Sequence, residues 1–128
     1  MAISRLTASA DNTITNAFKG NLVDRGTSAN MGESDILEVF SIYAQANSSS
    51  IEKSRILIKF PVNKLQSKRA SGEIPLTGVK YYLKMYNARH NQTTPEKYHI
   101  SILPVSKPWD EGYGMDMEGY LNEGASNW

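Results

Sequence analysis

Apolar residues recur at every second position of this chain far more often than at helical spacing. That alternation marks strands, whose side chains point to opposite faces in turn. The clearest case is 79–88, VKYYLKMYNA. Val79, Tyr81, Leu83 and Met85 fall on one side, and Lys80, Tyr82, Lys84 and Tyr86 on the other. The pattern predicts a strand with the first set toward a core and the second set outward. Residues 53–60, KSRILIKF, repeat it, with Ile56, Ile58 and Phe60 on one face and Arg55 and Lys59 on the other. Leu57 shares the polar face and predicts partial cover there.

Further strands are predicted over 2–8, 12–18, 35–44 and 98–105, with Ser9, Ala10 and Asp11 as the turn between the first two. Tyr98, Ile100 and Ile102 share one side of the last. Pro61 lacks an N–H and stops the 53–60 ladder. One short helical turn is expected over 62–66. Polar segments at 20–34, 46–50, 67–78 and 90–97 read as loops or turns. No strong helix and no internal repeat is visible. The expected fold is all-β, a jelly roll or β-sandwich of about six to eight antiparallel strands with long loops. A small barrel is the alternative. Several connections exceed a hairpin turn, which fits Greek-key crossings. A length of 128 residues fits one such domain over 1–128, alone or as the N-terminal piece of a longer chain.

Charge and composition narrow the function classes. Fourteen Lys and Arg against thirteen Asp and Glu leave a net charge of +1. That argues against bulk binding to nucleic acid, which needs a clustered basic surface. The absence of cysteine rules out disulfides and thiolate metal sites. It also favours folding inside a cell or within an assembly. No stretch approaches the roughly 20 apolar residues of a membrane helix. The first residues hold no apolar run of signal-peptide length. No membrane partner is expected.

Candidate chemistry gathers in 105–120, VSKPWDEGYGMDMEGY. Asp110, Glu111, Asp116 and Glu118 are candidate calcium ligands, since that ion takes six to eight oxygens. Their spacing departs from the EF-hand pattern, so the expectation is a solvated acidic loop and neither a metal nor another cofactor. Trp109, Tyr113, Tyr120 and Trp128 are candidates for stacking on sugar rings or for contact with a neighbouring subunit. The competing reading makes Trp109 an apolar plug at one end of a sandwich. Tyr82 and Tyr86, flanked by Lys80 and Lys84, form a second candidate contact strip. Interleaved aromatic and basic residues also occur in nucleic-acid binders, but two of each are too few. His90 and His99 have no third ligand nearby in sequence. The serines lack a nucleophile elbow, and Gly20, Gly26 and Gly32 lack the strand-to-helix context of a phosphate loop. Lys64, Lys68 and Arg69 read as a solvated cluster. An enzyme is not expected.

The order of motifs resembles the DNRLRE-type jelly-roll domains. Those residues are Ala10-Asp-Asn-Thr-Ile14, Arg55-Ile-Leu-Ile-Lys-Phe60, the strand Tyr82–Tyr86, and Ile100–Val105 followed by Trp109-Asp-Glu-Gly112. The resemblance runs from about residue 8 to residue 128. It implies that Arg55, Phe60 and Trp109 are scaffold residues, and it implies no catalytic ones. The wording SRILIKFPV with WDEGYGMDMEGY and GASNW is similar to structural proteins of tailed, cyanophage-like marine bacteriophages. The resemblance therefore implies a non-enzymatic virion protein, such as a capsid decoration, neck or tail component. Such a protein assembles in the host cytoplasm, in many copies or as a homo-oligomer, among other virion proteins. The alternative is a carbohydrate-binding or adhesive module recognising host-surface glycans. Family members run on after the Asn-Trp element into another strand. Here the expectation is either a longer polypeptide or a strand supplied by a neighbour.

Overall fold

The computed structural model of the chain describes residues 3–91, 93–121 and 125–128. Strand formation centres on β4 (Ile51–Lys59), where β-branched and apolar residues alternate with polar ones. β4 is the middle of a three-stranded antiparallel sheet, between β1 (Ala10–Thr15) and β3 (Ser41–Tyr43). A second antiparallel pair joins β2 (Ala29–Asn30) to β5 (Asp116–Leu121). Among the described residues the one helix, α1 (Val62–Ala70), begins directly after Pro61 and buries no residue. Strand outweighs helix, which agrees with an all-β class. Among the described residues five strands in two small sheets are fewer than the expected number.

Register sets the faces of the main sheet. Thr13 stands opposite Ile56, and Thr15 opposite Ser54. Asn12 stands opposite Leu57, and Ile14 opposite Arg55. Alternation therefore puts Thr13, Thr15, Ser54 and Ile56 on one face. Asn12, Ile14, Arg55 and Leu57 share the other.

The first face is crossed by residues 36–40. The Glu38 N–H donates to Thr13 Oγ1 at 3.0 Å, and the Glu38 carbonyl accepts from Ser54 Oγ at 2.7 Å. These side-chain bonds replace a ladder, so of the strand expected over 35–44 only 41–43 pairs. The second face is covered by the chain's last residues. Arg55 lies over the Trp128 ring at 3.9 Å.

The buried centre is small and polar. Its apolar members are Ile14, Ala17, Ala29, Met31 and Ile74. Its largest fully buried side chains are Glu52, Asn12, Asn30, Thr13 and Thr15. Such groups must find hydrogen bonds to offset their lost hydration. Glu52 Oε2 accepts the Phe18 N–H at 3.0 Å, while Oε1 has no partner among the described residues.

Other expectations need correction. No described residue of 3–8 joins a strand, and the predicted turn at Ser9–Asp11 lies at the start of β1. The polar stretch 20–34 contains β2, and the acidic loop runs into β5. The helical turn at 62–66 continues to Ala70, carrying Lys64, Lys68 and Arg69, and Lys68 pairs with Glu73 beyond it. Most consequentially, neither 79–88 nor 98–105 is a strand. Tyr81, Leu83 and Met85 are exposed rather than in a core, and Val79 is half-buried. Alternation fixes which side chains share a face. It does not provide the neighbouring strand that a ladder requires.

Candidate interaction surface

Two regions carry the candidate residues, and they are built differently. The first is the acidic loop, which is tied to the body by several hydrogen bonds with one side chain at their centre. Asn30 follows Ala29 in β2 and is fully buried. Its Nδ2 donates to the carbonyls of Glu111 and Ser126, each at 2.8 Å. Its Oδ1 accepts from the N–H groups of Gly32 at 3.0 Å and Gly114 at 3.1 Å. The amide thus uses both donors and both lone pairs, the full capacity of an Asn. Asn12 makes a parallel link. Its Nδ2 donates to the Ser126 carbonyl at 3.1 Å, and its Oδ1 accepts the Met31 N–H at 3.0 Å.

Glycine lets these backbones approach. A Cβ on Gly114 would fall inside the contact radius of the Asn30 carbonyl oxygen, and one on Gly32 would do the same at the Glu111 carbonyl. Gly112 adds a left-handed turn, φ +78°.

Three of the loop's four acids accept backbone N–H groups through their carboxylates. Glu111 Oε1 accepts the Asp11 N–H at 2.6 Å. Glu118 Oε1 accepts the Gly20 N–H at 2.5 Å. Asp116 Oδ1 caps its own turn, accepting from the N–H groups of Glu118 and Gly119 at 2.8 Å each. Asp110 holds the C-terminal segment: its N–H donates to Ser126 Oγ at 3.1 Å, and its carbonyl accepts the Ser126 N–H at 3.2 Å. Among the described residues no three His, Asp or Glu side chains converge to hold a metal ion. Burial, and secondarily the Glu111 carboxylate, raises the pKa of Asp11 above the usual carboxylate range.

The aromatic candidates divide between anchored and open positions. Trp109 and Trp128 are half-buried, and the Trp128 backbone N–H donates to the Thr27 carbonyl at 3.2 Å. Tyr120 is partly exposed, with its hydroxyl 3.7 Å from Met115 Sδ. Tyr113 is exposed. Of the residues implied as scaffold, Arg55 lies over the ring of Trp128. Phe60 lines an open apolar hollow of about 260 Å³ with Leu6, Tyr81, Tyr82 and Leu83.

The second region is the segment from Lys80 to Pro108, where every described residue is exposed. Tyr82 and Tyr86 are 83% and 81% exposed. Lys84 Nζ sits 4.9 Å from the centre of the Tyr86 ring, which holds that tyrosine by a cation–π contact. Ile100, Ile102, Leu103 and Val105 are likewise uncovered. A run of apolar side chains this long is far from the scattered single residues normal on a surface.

Charge follows the same division. Residues 79–108 hold five basic side chains, Lys80, Lys84, Arg89, Lys97 and Lys107, against the single acid Glu96. Of the fourteen basic and thirteen acidic residues overall, the remainder therefore keeps nine and twelve, so +4 faces −3. A near-neutral total conceals two oppositely charged parts.

Sequence reasoning missed Asn12 and Asn30. The only trace of the first was its place in the Ala-Asp-Asn-Thr-Ile motif. Among the described residues no helix is long and apolar enough to cross a membrane. No known protein family, curated protein or solved structure matches the chain.

Proposed function

We propose that the chain is a non-enzymatic structural subunit of a bacteriophage particle. It is a jelly-roll or β-sandwich domain of the DNRLRE type that works through contacts with other subunits. The observation that carries this reading is the uninterrupted exposure of apolar and tyrosine side chains between Lys80 and Pro108. Large exposed apolar patches mark interaction sites. Tyrosine favours interfaces because it joins apolar area to a polar tip. The motif order from Ala10 to Trp128 is what points to a virion protein of the capsid, neck or tail, assembled in host cytoplasm.

Proteomics of purified particles tests the assignment. Virions banded from a lysate that produces this chain are expected to yield its peptides in many copies per particle. Their absence from virions overturns the reading. A glycan array separates the adhesive alternative. Saturable binding abolished by Tyr113→Ala, with fold retained, would favour host-surface recognition instead.

A further inference from the structure

The chain crosses from its main sheet to its last residues through a long open span. The described residues from Lys80 to Pro108 are all exposed, and none lies in a strand or helix. A protease must hold the residues around the bond it cuts in an extended form. It therefore cuts where no strand or helix has to open first. Lys84, Arg89 and Lys97 lie in this span with exposed neighbours on both sides. Other basic residues are held in secondary structure: Lys53, Arg55 and Lys59 in β4, and Lys64, Lys68 and Arg69 in α1. Arg5 is exposed, but a cut there removes only the first residues.

The far side of the span is attached to the body independently of it. Glu111 joins Asp11, Ser126 joins Asn12 and Asn30, and Gly114 joins Asn30. Glu118 joins Gly20, Trp128 joins Thr27, and β5 pairs with β2. Each of these links reaches a residue that precedes the span. The peptide chain through 80–108 is therefore not what keeps residues 109–128 in place.

We propose that this span is a processing site for a protease that cuts after Lys or Arg, and that the cut chain stays together as a body and a tail. The bonds Arg89–His90 and Lys97–Tyr98 are cut first. Lys84 is held over the Tyr86 ring. Lys107 is followed by Pro108, whose ring and missing N–H such a protease does not accept. Water supplies the step: its oxygen joins the carbonyl carbon, the C–N bond breaks, and the leaving nitrogen takes a proton. The cut changes the linkage rather than the contacts. A tail that was tethered at high effective concentration is now held by contacts alone. Cleavage thus converts β5 from a fixed strand into a releasable one. This goes beyond the subunit-contact reading and does not depend on it.

The test begins with limited proteolysis of the full-length chain by trypsin. Mass spectrometry is expected to find the first internal cuts after Arg89 and Lys97, at least about tenfold faster than any cut within β4 or α1. Native sizing is expected to show body and tail eluting together, and urea to separate them. Asn30→Ala, cut in the same way, should release the tail at a protein concentration at least about tenfold higher. Trp128→Ala should do so to a smaller degree. It keeps the test open if circular dichroism shows that Asn30→Ala fails to fold. In cells that produce the chain, labelling of protein N-termini is expected to find new ends at His90 or Tyr98.

First internal cuts outside 80–108, or a span as resistant as β4, overturn the site. A tail that separates from the body on native sizing overturns the two-piece form. So does a tail held equally well in both variants, because the anchors would then not be what holds it. Finding only the intact chain in every producing lysate overturns the processing itself.

Discussion

The acidic loop and the segment from Lys80 to Pro108 adjoin in sequence and share tyrosines, yet the protein treats them oppositely. The loop is tied down at almost every turn, by Asn30, Asn12, Asp11 and the residues around Ser126. Three of its acids, Glu111, Asp116 and Glu118, accept backbone N–H groups through their carboxylates. The segment before it has alternating apolar residues that look like a core strand, and they are exposed. Residue type alone therefore misleads in both directions. What separates the two regions is whether a complementary backbone is within reach.

The largest test of that contrast is Gly114→Ala. The added Cβ meets the Asn30 carbonyl, so either the loop leaves the body or the sheet shifts. A loss of about 3–4 kcal/mol is expected in urea unfolding. Asn30→Ala comes next. It removes two donated and two accepted hydrogen bonds in a fully buried place, at a cost of about 2–3 kcal/mol. If either change costs under about 0.5 kcal/mol, the range of an ordinary surface substitution, the loop is not anchored as described.

The Arg55–Trp128 contact is a smaller link from the sheet to the chain's last residues. A double-mutant cycle with Arg55→Ala and Trp128→Ala is expected to give a coupling of about 1 kcal/mol. Zero coupling would reduce the pair to coincident neighbours.

Asp11 provides a pH-dependent probe of the same anchoring. Burial, then the nearby Glu111 carboxylate, raises its folded pKa above the unfolded value of 3.8. The folded protein therefore holds this proton more tightly than the unfolded chain does. The stabilisation is fully present below pH 3.8 and is lost as pH rises through the raised folded value. Asp11→Asn removes the charged form, so it should raise the thermal midpoint at neutral pH and change it little near pH 3. A variant no more stable at neutral pH than the parent would contradict the sign.

How far the sequence reveals these regions follows from what each depends on. β4 is legible because KSRILIKF carries its alternation and its Pro61 stop together. The all-β class follows from the same periodicity. Asn30 is not legible: an Asn between Ala29 and Met31 in a glycine-containing stretch reads as a solvated loop residue. Only the fold brings the Glu111 and Ser126 carbonyls to it. The acidic loop is half legible. Its glycines and tryptophan mark an anchored turn, but the N–H groups its carboxylates accept come from Asp11 and Gly20, about a hundred positions away. Residues 79–88 show the remaining gap, since a strand pattern is local and its partner is not.

The smallest expected effect is the sharpest discriminator of the comparison. Tyr82→Ser with Tyr86→Ser replaces two large aromatic side chains in the middle of the best strand pattern in the chain. Were this face of 79–88 turned onto the chain's own body, the pair of changes would cost several kcal/mol, as deletions of buried aromatics do. Because both rings are over four-fifths exposed, the expected loss is within about 0.5 kcal/mol. The unfolding must be measured at dilutions where sedimentation shows a monomer, since association would add its own stability by mass action. Under those conditions a large loss means that the segment folds onto its own body. A negligible loss means that these tyrosines contribute nothing to the isolated fold and are free to contact another molecule.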